Sequence, residues 1–256
     1  MHLEGKVGIV TGGSRGIGRA VCLGLARHGA DVVVAARTET PVEGMPGTIH
    51  DTAKEIEGMG RKALAVKCDV TAQESVEEMV RITLEEFGRI DVLVNNAAVA
   101  FYAPTLDMPL KRWELVLRVS LTGAFVCTKA VLPTMIEQKS GSIVNISSGA
   151  ATARGGTFTG IAYDVAKAGV ERFTYGLAAE LGKYNIAANC VKPRGIVDTE
   201  GMRFWNPNAD YSRWDSPDQM VRAVLFLAAQ SASGVSAVVA TDEELGRWHA
   251  AAFAEL

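Results

Sequence analysis

Short runs of consecutive apolar residues alternate along the chain with longer stretches in which apolar residues recur every three or four positions. The short runs are typical of parallel strands covered on both faces, and the longer stretches have the period of amphipathic helices. This alternation predicts an α/β fold: a Rossmann-type, doubly wound parallel sheet of about seven strands with helices on both faces. The strands are expected near residues 6–10, 30–36, 63–66, 90–94, 142–146, 186–191 and 235–240.

No break in the alternation marks a domain boundary, so we expect residues 1–256 to form a single domain. A chain of this length is close to the upper size for one hydrophobic core. In the long helix that follows Pro109, Pro133 is expected to kink or end the helix. Residues 195–216 have little periodicity, and we expect an irregular loop there that borders a ligand.

Composition excludes several classes of partner. The chain is 48% hydrophobic and 21% charged with a formal net charge of -3, so it has no basic surplus for nucleic acid. No run approaches the roughly 18 apolar residues of a membrane span, so no membrane partner is expected. The four cysteines and four histidines are dispersed, which predicts no metal site and reduced thiols in the cytoplasm.

A glycine-rich turn follows the first predicted strand and precedes the first predicted helix. Glycine at positions 12, 16 and 18 would let a pyrophosphate approach backbone amides at the helix start, where the helix dipole favours an anion. A tight structural turn is the alternative, and it explains the position between strand and helix less well. The residues predicted to contact a dinucleotide here are Gly12, Ser14, Arg15, Gly16, Ile17 and Gly18.

Two arginines predict NADP(H) in preference to NAD(H). Dinucleotide folds that use NAD place an acidic residue after the second strand to accept the ribose hydroxyls. Here that position is Arg37, and Arg15 lies in the glycine turn. Two guanidiniums would bind a 2′-phosphate through charge-assisted hydrogen bonds, although each could instead be a solvated surface charge.

Tyr163 and Lys167 are four residues apart in a predicted helix, so their side chains lie on the same face. An ammonium held near a phenol would lower the pKa of Tyr163 and make it a proton donor and acceptor near neutral pH. Taken alone the pair is more typical of a packed aromatic beside a surface lysine, and the rest of the chain changes that balance.

With these motifs assembled, the chain resembles the short-chain dehydrogenase/reductase family over almost its whole length. The motifs that carry the resemblance occur in the family's order: Thr11-Gly12-x-x-x-Gly16-x-Gly18, Asp69-Val70, Asn95-Asn96-Ala97, Ser148 and Tyr163-x-x-x-Lys167. The resemblance implies that Asp69 and Val70 contact the adenine, and that Asn96 and Ala97 line the cofactor pocket. It also implies a homodimer or homotetramer.

The resemblance further implies catalytic roles. Tyr163 would exchange a proton with the substrate oxygen, and Lys167 would lower its pKa and bind the nicotinamide ribose. Ser148 would hydrogen-bond the substrate oxygen, with Ser147 as the rival for that role. Ser120 stands where the family has an asparagine that anchors a proton-relaying water, so a weakened relay is expected.

Three further departures affect the expected site. Ala98 replaces the last glycine of the family's Asn-Asn-Ala-Gly turn. The Pro193-Arg194-Gly195 turn has one residue more than usual before Thr199, the expected nicotinamide contact. A polar and aromatic tail replaces the family's glycine-rich C-terminal end.

The leading hypothesis is an NADP(H)-dependent oxidoreductase that interconverts a ketone or aldehyde with an alcohol. Aromatic residues near the predicted site favour an apolar or aromatic small-molecule substrate, unless they only pack the loops down. The alternative is a catalytically weak NADP(H)-binding sensor or scaffold, which the altered motifs favour and which the intact Ser148, Tyr163 and Lys167 disfavour.

Overall fold

A computed structural model of the chain describes residues 3–152 and 160–256. Seven strands form one sheet in the order β3-β2-β1-β4-β5-β6-β7, and every neighbouring pair is parallel. The strands are β1 (Val7–Thr11), β2 (Asp31–Ala36), β3 (Ala63–Lys67), β4 (Val92–Asn95), β5 (Gly141–Ile146), β6 (Ile186–Lys192) and β7 (Val239–Thr241). The predicted doubly wound parallel sheet is therefore confirmed.

Helices connect these strands on both faces of the sheet. They are α1 (Gly16–Arg27), α2 (Ile49–Gly58), α3 (Gln73–Phe87), α4 (Leu110–Leu117), α5 (Gly123–Gln138), α6 (Ile161–Leu181), α7 (Glu200–Trp205), α8 (Asp218–Ala228), α9 (Asp242–Trp248) and α10 (Ala250–Ala254). One face buries residues of α1, α2 and α8 in a single apolar cluster, and the other buries residues of α3, α5 and α6 in a second.

The chain reverses its direction of travel across the sheet at β1. This strand pairs with β2 on one side and with β4 on the other, so Val10 is in register with both Val34 and Val94. The connections that follow β1 and β4 therefore diverge and leave a crevice at the carboxyl ends of these strands. Such a switch point is where open α/β sheets bind ligands.

Residues 110–138 form one continuous helical stretch, because a single π-helical turn at Arg118–Thr122 joins α4 to α5. Pro133 lies inside α5, so it does not end the helix, and a kink at this position stays a prediction. Val131 and Met135, on either side of it, are fully buried against the sheet. This tertiary packing offsets the hydrogen bond that proline removes.

The same stretch is long and apolar enough to cross a membrane by length and composition, with a mean hydropathy of 1.7 over its best window. The stretch is not a run of consecutive apolar residues, since Thr128, Lys129 and Thr134 interrupt it. Cys127, Val131 and Met135 also bury the helix in the second apolar cluster. Core helices of globular folds meet the same composition criterion.

Three smaller differences concern local signals. Residues 195–216, predicted as an irregular loop, contain helix α7, and β7 is shorter than the predicted 235–240 run. Thr71, the hydroxyl residue before α3, does not cap it but bonds the carboxylate of Asp69, and α3 begins after Ala72 with no side-chain cap. Each difference depends on contacts between segments that are distant in sequence or on competition between neighbouring polar groups.

Gly18 supports the glycine turn by its lack of a side chain. A Cβ there would overlap the carbonyl oxygen of Gly12 and the side-chain amide of Asn96. We expect Gly18→Ala to reduce the free energy of unfolding by about 1–3 kcal/mol, because the overlap would force backbone to move. Urea unfolding provides the measurement.

Gly58→Ala is the matched control, because a Cβ at this position in α2 meets nothing within 4 Å. It should raise stability by up to about 1 kcal/mol through helix propensity alone. Equal effects of the two substitutions would contradict the close approach at Gly18.

Candidate active site

The carboxyl ends of β1 and β4 are joined by a network centred on Thr11. Its hydroxyl donates to the carbonyl of Val94 (3.3 Å) and accepts from the amides of Asn96 (3.0 Å) and Ala97 (3.1 Å). The side-chain amide of Asn96 donates in return to the Thr11 carbonyl at 2.8 Å. These bonds hold the glycine turn against the end of β4, so that the two strand ends form one rigid edge of the crevice.

A groove of about 330 Å³ lies beside this edge, over the carboxyl ends of the strands. Of the residues expected to contact a cofactor, it is lined by Gly12, Ser14, Arg15, Ile17, Gly18, Arg37, Asp69, Val70, Asn96, Ala97 and Thr199. Thr199 lies there despite the extra residue in the Pro193 turn, and it packs against Gly16. Ala36, Thr38, Cys68, Ala98, Val99 and Val119 complete the lining and were missed because apolar and small residues carry no motif.

The two arginines occupy different settings in this groove. The guanidinium of Arg15 contacts the Met45 sulfur and donates to the Gly47 carbonyl at 3.0 Å, while its buried Nε has no hydrogen-bond partner among the described residues. Arg37 is exposed at the end of β2. Its charge acts on Asp69, so these two side chains lie on the same side of the groove.

Asp69 is held in place by its own loop. One carboxylate oxygen accepts from the Thr71 amide (2.9 Å) and hydroxyl (2.8 Å). Burial opposes ionisation, but these hydrogen bonds and the Arg37 charge together lower the pKa of Asp69. The carboxylate is therefore a fixed anionic acceptor at the edge of the groove.

The structure brings Ser148, Tyr163 and Lys167 together, and none of the three is among the residues that line the groove. Tyr163 packs on the same small apolar cluster as Val99, which does line it. Helix α6 begins directly after Gly160, whose positive φ of 78° turns the chain into the helix. The ammonium of Lys167 lies 5.6 Å from the centre of the Tyr163 ring and donates to the Ile146 carbonyl at 2.6 Å. The Ser148 side chain hydrogen-bonds the Tyr163 hydroxyl. Residues 153–159, which precede Gly160 in the sequence, lie outside the described residues.

Ser147, the alternative to Ser148, is bound elsewhere. Its hydroxyl donates to the Glu171 carboxylate at 2.8 Å, and the same carboxylate oxygen accepts from Lys192 at 2.9 Å. Lys192 also contacts the Thr152 hydroxyl at 3.3 Å. This buried ion pair anchors both ends of the Ser148 turn. Sequence reasoning missed it because its members come from β5, α6 and β6.

The pKa of Tyr163 moves in the direction opposite to the sequence expectation. Burial raises the pKa of Tyr163 to about 12, and the hydrogen bond with Ser148 offsets only part of this effect. Lys167 is not among the groups that shift the pKa of Tyr163, and burial lowers the pKa of Lys167 itself to about 8. A phenol in this setting keeps its proton at neutral pH.

Ser120 lies in the π-helical turn between α4 and α5 and is buried. Its hydroxyl donates to the carbonyl of Val99 and accepts from its amide, each at 3.2 Å. Among the residues that the structure describes, Ser120 forms no hydrogen bond with Lys167. Its part in a proton relay stays a prediction.

The described ranges contain no group of three or more His, Cys, Asp or Glu side chains that could hold a metal ion. The groove does fit a dinucleotide, because a carboxylate of the chain already occupies the place that a pyrophosphate would take. A carboxylate oxygen of Glu200 accepts from the Gly16 amide at 2.9 Å, which places an anion at the start of α1. Gly12 and Gly18 let this turn pack closely against the segment after β4, because a Cβ at either position would overlap the Asn96 side chain.

Comparison with known proteins agrees with this geometry. A family model described as short chain dehydrogenase matches residues 6–210. The chain belongs to the short-chain dehydrogenase family.

Relatives of this short-chain dehydrogenase carry oxidoreductase names. The 3-oxoacyl-[acyl-carrier-protein] reductase of Synechocystis sp. is 38% identical over 239 residues, which cover 90% of this chain and 92% of that protein. Hydroxysteroid dehydrogenase-like protein 2 of Homo sapiens is 37% identical over 78% of this chain, which spans about half (48%) of its length. A short-chain type dehydrogenase/reductase structure from Mycobacterium marinum is similar with a TM-score of 0.82 and 31% identity, covering 94% of each chain.

The departures from the family pattern have local explanations in this dehydrogenase. Ala98 is exposed and does not have a left-handed backbone, so its methyl group costs no strain. The extra residue, Arg194, is tied down by its amide to Asp242 (2.9 Å) and by its guanidinium to Asp215 (2.9 Å). The tail that replaces the glycine-rich end forms α9, which starts with a reciprocal cap between Thr241 and Glu244.

Lys167 gives stability a pH dependence whose sign follows from its lowered pKa. Between pH 8 and the unfolded value of 10.5, the unfolded chain binds more protons than the folded one, so rising pH stabilises the fold. The unfolding free energy of wild type minus that of Lys167→Met should therefore rise by about 3 kcal/mol between pH 7.5 and 10.5. Urea unfolding at both pH values measures it.

Lys129→Met, on the exposed side of α5, is the control and should give the same difference from wild type at both pH values. A pH-independent difference for Lys167→Met would mean that the buried ammonium is not perturbed.

Proposed function

We propose that the protein is an NADP(H)-dependent reductase or dehydrogenase that interconverts a small ketone or aldehyde with the corresponding alcohol. The observation that carries the proposal is the juxtaposition of Ser148, Tyr163 and Lys167, with Tyr163 packed on the same small apolar cluster as Val99 of the groove wall. Membership of the short-chain dehydrogenase family supports the reaction class. A cytoplasmic location is part of the proposal, on the basis of composition.

NADP(H), when bound, supplies or accepts the hydride. The glycine turn, Asp69 and Asn96 would hold it along the groove, with Thr199 near its reactive end. The Tyr163 hydroxyl would donate its proton to the substrate oxygen, while Ser148 polarises the same oxygen through a hydrogen bond. A phenol that is protonated at neutral pH supports the carbonyl-reducing direction.

Lys167 would act through charge and position. Its ammonium already lies below the Tyr163 ring, and a ribose hydroxyl would give it a second partner beside the Ile146 carbonyl. That added partner favours the charged form, which in turn would stabilise the phenolate left after proton donation.

The substrate side supports an apolar or aromatic compound. Tyr102 and Trp205 are 54% and 70% exposed, and Tyr102 lies near Tyr163. Tyr211 and Trp214 pack against each other and so are used within their own loop. We also propose a homo-oligomer, dimer or tetramer, because Phe125, Val165 and Tyr175 on α5 and α6 are exposed apolar side chains.

Tyr163→Phe tests the catalytic assignment. With a panel of ketones, diketones and aldehydes, wild type should consume NADPH, measured by loss of absorbance. Tyr163→Phe should lose at least about 100-fold in kcat while keeping its dissociation constant for NADPH, because only the proton is removed.

Tyr175→Phe, an exposed tyrosine on the same helix, should retain full turnover. Retained turnover in Tyr163→Phe would assign proton transfer to another group. NADPH binding by the wild type without turnover of any carbonyl would favour a sensor or scaffold instead.

Arg37→Ala tests the cofactor preference. Arg37 is exposed at the groove, whereas the guanidinium of Arg15 is already bonded to the 45–47 loop. Loss of a charge-assisted contact to the 2′-phosphate should raise the dissociation constant for NADPH about 10- to 100-fold and leave that for NADH nearly unchanged. Titration calorimetry measures both.

Arg27→Ala, at the far end of α1, should change neither constant. A wild type that binds NADH more tightly than NADPH would overturn the preference.

A further inference from the structure

The contact between Glu200 and Gly16 joins the start of helix α7 to the start of helix α1. Glu200 is the first residue of α7, and its carboxylate accepts from the backbone amide of the first residue of α1 at 2.9 Å. Helix α1 itself has no side-chain cap and no acidic residue in its first turn. Glu200 therefore supplies, from 184 residues away, the acceptor and the negative charge that this helix start lacks.

Other contacts place α7 across the groove. Thr199 packs on Gly16, so that a Cβ at Gly16 would lie 3.5 Å from the threonine side chain. At the other end of α7, the Phe204 ring lies against Gly44, 3.0 Å from the position of its Cβ. The 45–47 segment that follows Gly44 binds the Arg15 guanidinium. Helix α7 thus bridges the glycine turn and the loop after β2.

This arrangement conflicts with an occupied groove. The amides at the start of α1 are the donors that a dinucleotide pyrophosphate uses in such a fold. A carboxylate and a phosphate cannot share them, because two anions at hydrogen-bonding distance of one amide repel each other strongly. Either the pyrophosphate displaces Glu200 or it binds more weakly than the glycine turn allows.

We propose that Glu200 is a built-in competitor of the cofactor pyrophosphate, and that its displacement releases α7 from the glycine turn when a dinucleotide binds. The inference rests on the proposed function in that the groove must bind a dinucleotide. A six-residue helix is too short to be stable alone, so its position depends on contacts such as this one. Because α7 also carries the exposed Trp205, cofactor binding would reposition the substrate side of the crevice.

Glu200→Gln separates this role from cofactor specificity. Glutamine keeps the hydrogen-bond acceptor but removes the charge. The variant should bind NADPH and NADH about 5- to 10-fold more tightly than wild type, by the same factor for both, because the pyrophosphate is common to them. Inorganic pyrophosphate, used as a third ligand, should gain similarly. Titration calorimetry at low and high salt should show the gain shrinking as salt rises.

Glu180→Gln, an exposed glutamate on α6, is the matched control and should leave all three affinities unchanged. Glu200→Ala is a second variant, to be used if Glu200→Gln fails to fold. It should also bind all three ligands more tightly than the wild type. In the wild type, amide hydrogen exchange in residues 200–205 should become faster when NADPH is added, which reports the release of α7 independently of catalysis.

Unchanged or weaker dinucleotide binding by the folded Glu200 variants would overturn the inference, as would increased protection of residues 200–205 on NADPH binding. These outcomes leave the proposed function standing. Failure of the wild type to bind either dinucleotide would instead overturn the proposed function itself.

Discussion

The junction between β1 and β4 is the constraint on which the rest of the molecule depends. These two strands are neighbours in the sheet although two further strands separate them in sequence. The Thr11 hydroxyl and the Asn96 amide close this junction through buried hydrogen bonds to backbone. Because Thr11 is buried, losing a partner of its hydroxyl would leave a buried polar atom unsatisfied. The crevice, the glycine turn and the groove all take their positions from it.

The candidate catalytic residues lie beside β5 and β6, where charged side chains that are largely buried have more than one partner. Lys167 donates to the end of β5, and the Glu171–Lys192 pair holds the Ser147 side chain one residue before Ser148. Removing either member of such a pair leaves an uncompensated buried charge, which is far more costly than removing both. The network therefore restricts the Ser148 turn to one arrangement facing Tyr163.

On the opposite side of the crevice, helix α7 is held in place by fewer contacts. Helix α7 has six residues and is placed by a few contacts, chiefly those of Thr199, Glu200 and Phe204 with the glycine turn and the loop after β2. Rigid groups on the sheet and a weakly held helix over them suit a site that must admit a large cofactor and then a substrate. Low-stability elements are the ones that move in binding.

Much of this protein follows from local pattern alone. Apolar runs with the period of strands and helices determined the sheet, because burial on both faces is a property of each segment by itself. The glycine positions and the Tyr163–Lys167 spacing likewise predicted which residues would gather at the crevice. These signals are short-range, so they can be interpreted without knowing which segments pack against each other.

The tertiary structure alone decided how those residues are used. It separates Ser147 from Ser148 through Glu171, and it raises the pKa of Tyr163 by burial where the adjacent lysine predicted the reverse. It also brings Glu200 to Gly16 across the chain. Each of these outcomes depends on which distant groups share a volume from which water is excluded, and no spacing along the sequence encodes that.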